Sequence, residues 1–132
     1  MKTASNPWLF KGNPVTSLEQ PHLGFVYCIT ELSTGMKYIG YKLGFNKKGK
    51  ETDWRTYCSS SAKLKGLDVN DPKKFTKEII YFGENKTDLR VMEIYILLEE
   101  YINGGWDKLY NENVNIRLRI RKGKKFQWGG TE

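Results

Sequence analysis

The stretch from Gly24 to Lys42, GFVYCITELSTGMKYIGYK, constrains the fold more than any other part of the chain, because two short apolar-aromatic runs flank a turn-forming segment. In the first run Phe25, Tyr27 and Ile29 alternate with Val26, Cys28 and Thr30. That pattern predicts a strand covered on both faces. Ser33, Thr34 and Gly35 suit a hairpin loop with glycine at positive φ, and Lys37 to Tyr41 return as a second strand. Tyr27 and Tyr38 therefore fall on neighbouring antiparallel strands, where both phenols can face one site.

Upstream, prolines at 7, 14 and 21 deny residues 1–23 any long helix. Asn6 to Phe10 is predicted to be an irregular arm that packs aromatic side chains onto the domain. His22 reads as a loop residue, since nothing near it in sequence could orient it as a base. After the hairpin, Leu43 to Asp53 has neither helical nor strand period and carries Lys47, Lys48 and Lys50, a basic loop that is either simply solvated or, from its place after a strand, a contact for phosphates. Ser59 to Ser61 can cap a short helix over residues 62–65 that ends at Gly66. Phe75 to Phe82, FTKEIIYF, reads as a third strand with Phe75, Ile79 and Tyr81 on one side.

The clearest helix is expected from about Asp88 to Ile102, capped by Thr87 and stopped by Asn103-Gly104-Gly105. Val91, Ile94, Tyr95, Leu98, Tyr101 and Ile102 form a stripe at helical spacing, which predicts the core face. Glu93 and Glu100 lie among Leu89, Ile96 and Leu97 on the other side. From helical position alone both are ordinary solvated carboxylates. Beyond Tyr110, Arg117, Arg119 and Arg121 alternate with aliphatic residues, so an extended tail would dock its aliphatic face and turn its arginines to phosphates.

A chain of 132 residues makes one domain with a core of its own. Its 22 Lys and Arg against 15 Asp and Glu, with 14% aromatic residues, favour a polyanion, nucleic acid first. Two cysteines form no disulfide framework and imply a reducing compartment, and with one histidine a Cys/His zinc site is excluded. No run has the length of a signal peptide or a membrane span, so a soluble cytoplasmic protein is expected. No Ser-His-Asp set, Cys-His set or phosphate-cradling glycine loop is present, which argues against acyl transfer and ATP-driven chemistry. Phosphodiester hydrolysis needs an activated water, a cation on the non-bridging oxygens and stabilisation of the leaving group. One carboxylate with a few phenols, lysines and arginines suffices.

Val26-Tyr27, ten intervening residues and Tyr38-Ile39-Gly40 together resemble the double signature of the GIY-YIG nuclease superfamily. A basic segment, Ser60 and Ser61, a strand from Phe75, a helix with a glutamate and an asparagine after a tyrosine follow in the superfamily's order. NPWLF, GFVY, KYIGYK and the W-x-x-Y-x-S-S-S run look most like its short phage-encoded members, described as homing endonucleases. The resemblance implies a small α/β (α+β) fold, a three-stranded antiparallel sheet flanked by helices. It also implies a DNA endonuclease that leaves 5′-phosphate and 3′-hydroxyl ends. It assigns Tyr27 as the base and Tyr38 to the reacting phosphate or its water. Gly40 becomes a tight backbone turn, Glu93 the ligand of one Mg2+ or Mn2+, and Asn111 a brace that also binds DNA. Phe25 stands where the superfamily has glycine, and the helix histidine has no match. For the catalytic arginine the chain offers Lys42 or Arg55, which differ because lysine is a point charge without a bidentate fork.

The expected organisation is an arm over 1–23, a nuclease domain over 24–113 and a basic extension over 114–132. Double-stranded DNA is the expected partner, with Lys47, Lys48, Lys50, Ser60, Ser61, Asn111, Arg117, Arg119 and Arg121 as contacts. One site per chain would need two encounters, or a homodimer, to cut both strands. The competing reading is a non-catalytic nucleic-acid-binding protein on the same scaffold.

Overall fold

The computed structural model describes residues 6–19 and 21–128. The described residues hold five strands and one long helix: β1 Trp8–Phe10, β2 Asn13–Pro14, β3 Gly24–Glu31, β4 Lys37–Leu43, β5 Phe75–Gly83 and α1 Lys86–Ile102, followed by a short 3-10 helix, Trp106–Lys108. The sheet order is β2-β1-β5-β3-β4. The predicted hairpin is present, with β3 antiparallel to β4 and Tyr27 opposite Gly40. The fold is α+β, but the sheet has five strands and is mixed, not three strands all antiparallel.

The two extra strands come from the proline-bearing arm. Trp8 and Leu9 pair parallel with Lys77 and Glu78 of β5. Lys11 at φ 51° and Gly12 at φ 84° then turn the chain back into β2, the double positive φ that suits a two-residue hairpin. Pro14 is tolerated because β2 is the sheet's edge. Strands of three and two residues are too short to show an alternation. The arm is anchored by Asn6, whose Nδ2 donates to the Val69 and Phe75 carbonyls at 3.0 and 2.8 Å, and by Trp8, whose Nε1 donates to Trp54 O at 2.6 Å.

Apolar side chains cover both faces. One carries Trp8, Phe25, Tyr27, Ile29, Trp54 and Phe75, and is closed by the irregular chain after β4. The other carries Val26, Ile39 and Tyr81 beneath Leu89, Met92 and Leu97 of α1. Phe75 and Ile79 do share a face, but Tyr81 does not join them. Val26 pairs with Tyr81 while Tyr27 pairs with Ile79; the extra residue of this bulge reverses the side-chain parity of the rest of the strand.

Helix α1 begins at Lys86, with Asn85 rather than Thr87 as its cap: Asn85 Oδ1 accepts from Asp88 N at 2.9 Å. Its packed face is also turned from the predicted stripe. Of that stripe Ile94 is buried as expected, but Tyr95, Leu98, Tyr101 and Ile102 are 40–78% exposed, and Leu89, Met92 and Leu97 are buried in their place. Two apolar stripes satisfy helical spacing here, and the chain buries the one that also carries Glu93. The short helix expected over 62–65 is absent. That segment is a run of turns, with Leu64 N donating to Ser61 O at 3.2 Å and Leu67 N to Leu64 O at 3.1 Å; Leu64 is its one buried side chain. Residues 116–121 form no strand, and Ile116 and Ile120 are each 62% exposed. The tail is held instead by Val114 and Phe126 against the core and by Tyr81 Oη donating to Gln127 O at 2.5 Å. Among the described residues no helix is long and apolar enough to cross a membrane, and Cys28 and Cys58 are free.

Candidate active site

The hairpin places Tyr27, Tyr38, Gly40 and Lys42 on one face, since Tyr27 opposes Gly40, Ile29 opposes Tyr38 and Phe25 opposes Lys42. Strand β4 is the other edge of the sheet, and α1 packs across its opposite face. Side chains from both faces therefore meet around that edge. The result is a cleft of about 470 Å³, lined by Tyr27, Tyr38, Lys42, Tyr57 and Ser60 on one side and by Tyr41 and Glu93 on the other. Tyr27, Tyr38, Lys42, Ser60 and Glu93, picked out in the sequence, are thus brought together.

Gly40 sits within β4, not at a turn. A Cβ there would lie 2.6 Å from Tyr27 Oη and 2.8 Å from Tyr27 Cζ, below any tolerable contact, so the absent side chain is what lets the Tyr27 phenol lie over the strand. The Tyr27 ring is fixed by Trp8 at 5.0 Å, Tyr38 at 6.3 Å and Tyr57 at 6.1 Å between centroids. Burial pushes its phenol well above the ordinary tyrosine value; a hydrogen bond from Ser59 opposes this, and Tyr57 and Tyr38 add to it. Ser59 reaches Tyr27 from a backbone at φ 77°, a conformation that costs about 1–3 kcal/mol for a residue with a side chain. Burial and the Glu93 charge likewise raise Tyr38, against hydrogen bonds from Ser61 and Ser59.

Lys42 is the cation of the cleft lining. Its Nζ lies 2.7 Å from Asp53 Oδ1 and 4.2 Å from the Tyr57 ring centroid. Tyr57 Oη in turn accepts from Ser60 N at 3.1 Å, so the phenol braces the serine run while its ring carries the ammonium. Arg55 is elsewhere: Nε and Nη2 donate to Thr16 O at 3.2 and 3.0 Å, and Nη1 pairs with Glu51 at 3.0 Å. Its fork is spent on the arm. Of the two candidate cations, Lys42 faces the cleft and Arg55 does not.

Glu93 has no ion-pair partner among the described residues. Burial raises its carboxyl, with Arg90 opposing. No group of three or more His, Cys, Asp or Glu side chains suited to a metal occurs among the described residues. A half-buried carboxylate that lines a polar cleft and is held in no ion pair among the described residues still fits a hard divalent ion that keeps most of its waters and takes one or two protein carboxylates.

Asn111 lies behind the cleft: its Oδ1 accepts from Ile39 N at 2.9 Å and its Nδ2 donates to Ile39 O at 2.8 Å. The amide thus mimics a strand partner and caps the β4 edge, together with Tyr110 N donating to Lys37 O at 2.6 Å. Lys47, Lys48 and Lys50 are exposed on a loop closed by the Phe45–Glu51 bridge and by Asn46 Oδ1, which accepts from Lys48 N and Lys50 N. Arg117, Arg119 and Arg121 are exposed on the tail. His22 stacks on Phe82 at 5.2 Å, away from the cleft lining. Tyr41, Thr52, Asp53, Tyr57 and Ser59 belong to the site although sequence reasoning passed over them. The W-x-x-Y-x-S-S-S run was a usable signal for Tyr57 and Ser59, but only folding shows that the loop returns to Tyr27.

A family model described as "Putative endonuclease segE, GIY-YIG domain" matches residues 8–114. No curated protein and no solved structure matches the chain. The match begins at Trp8, the first residue of β1, and takes in the hairpin, the loop that returns to it, α1 and the Asn111 brace. The chain therefore belongs to the GIY-YIG endonuclease family.

Proposed function

We propose that the protein is a metal-dependent endonuclease that hydrolyses a phosphodiester of double-stranded DNA in the cleft at the β4 edge. The observation that carries this reading is the convergence of Tyr27, Tyr38, Lys42 and Glu93, from two strands and a helix, on one open cleft. Lys42 supplies positive charge to a non-bridging phosphate oxygen, and Asp53 and Tyr57 keep its ammonium in place. Tyr27 is the base that takes the proton of the attacking water. Its buried phenol holds its own proton in the free protein, so the basic form arises in the complex, favoured by the Ser59 hydrogen bond. Tyr38 orients the water or the phosphate. Glu93 holds one Mg2+ or Mn2+, an ion that supplies Lewis-acid charge to the phosphate when bound. Attack by water at phosphorus leaves 5′-phosphate and 3′-hydroxyl ends. Lys47, Lys48 and Lys50, with Arg117, Arg119 and Arg121, supply phosphate contacts beyond the cleft.

Tyr27→Phe separates this reading from a non-catalytic DNA-binding protein on the same scaffold. The variant is expected to keep its affinity for a fluorescein-labelled duplex and to lose at least 100-fold in cleavage rate, at the low end of the usual contribution of general-base catalysis of about 10²–10⁴. Full cleavage by the variant would remove Tyr27 from the mechanism.

A further inference from the structure

Lys77 and Cys58 make a pair that phosphodiester hydrolysis does not use. Lys77 stands on β5 and is fully buried, with its Nζ 3.8 Å from Cys58 Sγ and 4.4 Å from the Trp8 ring centroid. No carboxylate pairs with it among the described residues. A thiol is a weak acceptor, so it satisfies a buried ammonium poorly. Burial accordingly lowers the pKa of the lysine and favours the neutral amine, which is a nucleophile. Cys58, by contrast, is partly exposed and lines an open cavity of about 580 Å³ formed by the serine run and residues 64–70. A small solute can meet the thiol from that cavity, while the amine stays inside the core.

Cys58 also sits between two residues of the β4-edge cleft. Tyr57 carries the Lys42 ammonium 4.2 Å from its ring centroid, and Ser59, at φ 77°, hydrogen-bonds the Tyr27 phenol. The cavity and the cleft share Ser60. A displacement of Cys58 therefore reaches both neighbours directly along the backbone.

We propose that Cys58 is an oxidation site whose product is captured by Lys77 as a sulfur–nitrogen cross-link, and that this link switches the cleft off. Hydrogen peroxide is the oxidant. It transfers one oxygen to the Cys58 thiol, giving Cys–SOH and water, so that sulfur is oxidised and peroxide reduced by one electron pair. The neutral Lys77 amine then attacks that sulfur. As the S–N bond forms the S–O bond breaks, and its hydroxyl leaves as water with one proton from the amine; sulfenic acids condense with backbone nitrogen in the same way. A thiol reductant reverses the step, two of its thiols becoming a disulfide as Cys58 and Lys77 regain their hydrogens. Forming the bond closes a 3.8 Å gap. Lys77 is held within the sheet, so the loop with Tyr57 and Ser59 makes most of the movement. The loss of activity rests on the nuclease reading of the preceding section, whereas the cross-link does not.

The test treats the full-length protein with hydrogen peroxide, in a Cys28→Ser background so that no disulfide can form within the chain. The intact mass should fall by two hydrogens, peptide mapping should join Cys58 to Lys77, and dithiothreitol should reverse both. Plasmid cleavage should fall at least about tenfold on oxidation and recover on reduction, since a misplacement of about 1 Å can cost about 10²-fold. Lys77→Leu should lose the link and gain oxygen at Cys58 instead. Cys58→Ser should cleave like the parent and ignore peroxide. An unreactive Cys58, its oxidation to sulfenic or sulfinic acid without a link to Lys77, or undiminished cleavage by the linked protein would overturn the proposal. The link is read without either variant, so a variant that fails to fold does not prevent the decision. Cleavage by reduced protein that never forms the link removes the switch alone, and a reversible link in a protein that never cleaves removes the nuclease reading alone.

Discussion

Gly40→Ala is the sharpest probe of how the hairpin builds the site. The added Cβ would lie 2.6 Å from Tyr27 Oη, 2.8 Å from its Cζ and 3.1 Å from Tyr38 Cε2, so both ring carbon and hydroxyl must move. Tyr27 cannot retreat easily, being 2% exposed and packed against Trp8, Phe25 and Tyr57. Overpacking of this kind costs about 1–3 kcal/mol, against about 0.4–1 kcal/mol gained from the stiffer unfolded chain. The net, about 1–2 kcal/mol, lowers the melting temperature by about 3–10 °C for a domain of this size. Calorimetry on wild type, Gly40→Ala, Tyr27→Phe and the double variant measures it. Because Tyr27→Phe removes the nearest atom, the double variant should recover at least about 0.5 kcal/mol relative to additivity. A Gly40→Ala protein that melts like wild type, or strictly additive effects, would refute the idea that the glycine exists to seat the phenol.

Burial raises Glu93 above the ordinary carboxylate value, so the ionised group opposes folding. Its favourable contribution is present below the unfolded pKa and is lost as pH rises through the higher folded one. Glu93→Gln should therefore be more stable than wild type at neutral pH, with the difference vanishing in acid; melting curves from pH 3 to 8 check the sign. Lys77 is fully buried, its Nζ 3.8 Å from Cys58 Sγ and 4.4 Å from the Trp8 ring centroid, and burial depresses its pKa. Lys77→Met should stabilise the domain by about 1–3 kcal/mol at neutral pH. The gain should shrink as pH rises towards the unfolded lysine value of 10.5, which denaturant titrations at pH 7 and 10 resolve. If Arg117, Arg119 and Arg121 meet phosphates, replacing all three by Gln reduces the slope of log K against log salt by about 2.7. An unchanged slope in fluorescence anisotropy would leave them solvated.

Much of the site was legible because it is carried by short-range patterns. The hairpin follows from alternation and a glycine turn, and the resemblance on its two tyrosines singled out Tyr27, Tyr38 and Glu93, which the fold brings to one cleft. What escaped depends on tertiary phase. Helical spacing cannot choose between the stripe with Tyr95 and Leu98 and the stripe with Leu89 and Met92. Only the sheet surface of Val26, Ile39 and Tyr81 selects the second, and with it turns Glu93 towards β4. A one-residue bulge moved Tyr81 to the other face. Trp8-Leu9-Phe10 is too short to read as a strand until β5 offers it an edge. Arg55 matched the expected charge, but the arm offered its guanidinium the Thr16 carbonyl first.

The central claim, that the β4-edge cleft is a phosphodiesterase site with Glu93 as its metal ligand, is tested most directly by incubating supercoiled plasmid and magnesium with wild type and with Glu93→Ala. Wild type should convert supercoiled DNA to nicked or linear products. Glu93→Ala, folded by circular dichroism, should cleave at least 100-fold more slowly, as for loss of a main charge-stabilising group. Equal cleavage by the two proteins would contradict the account.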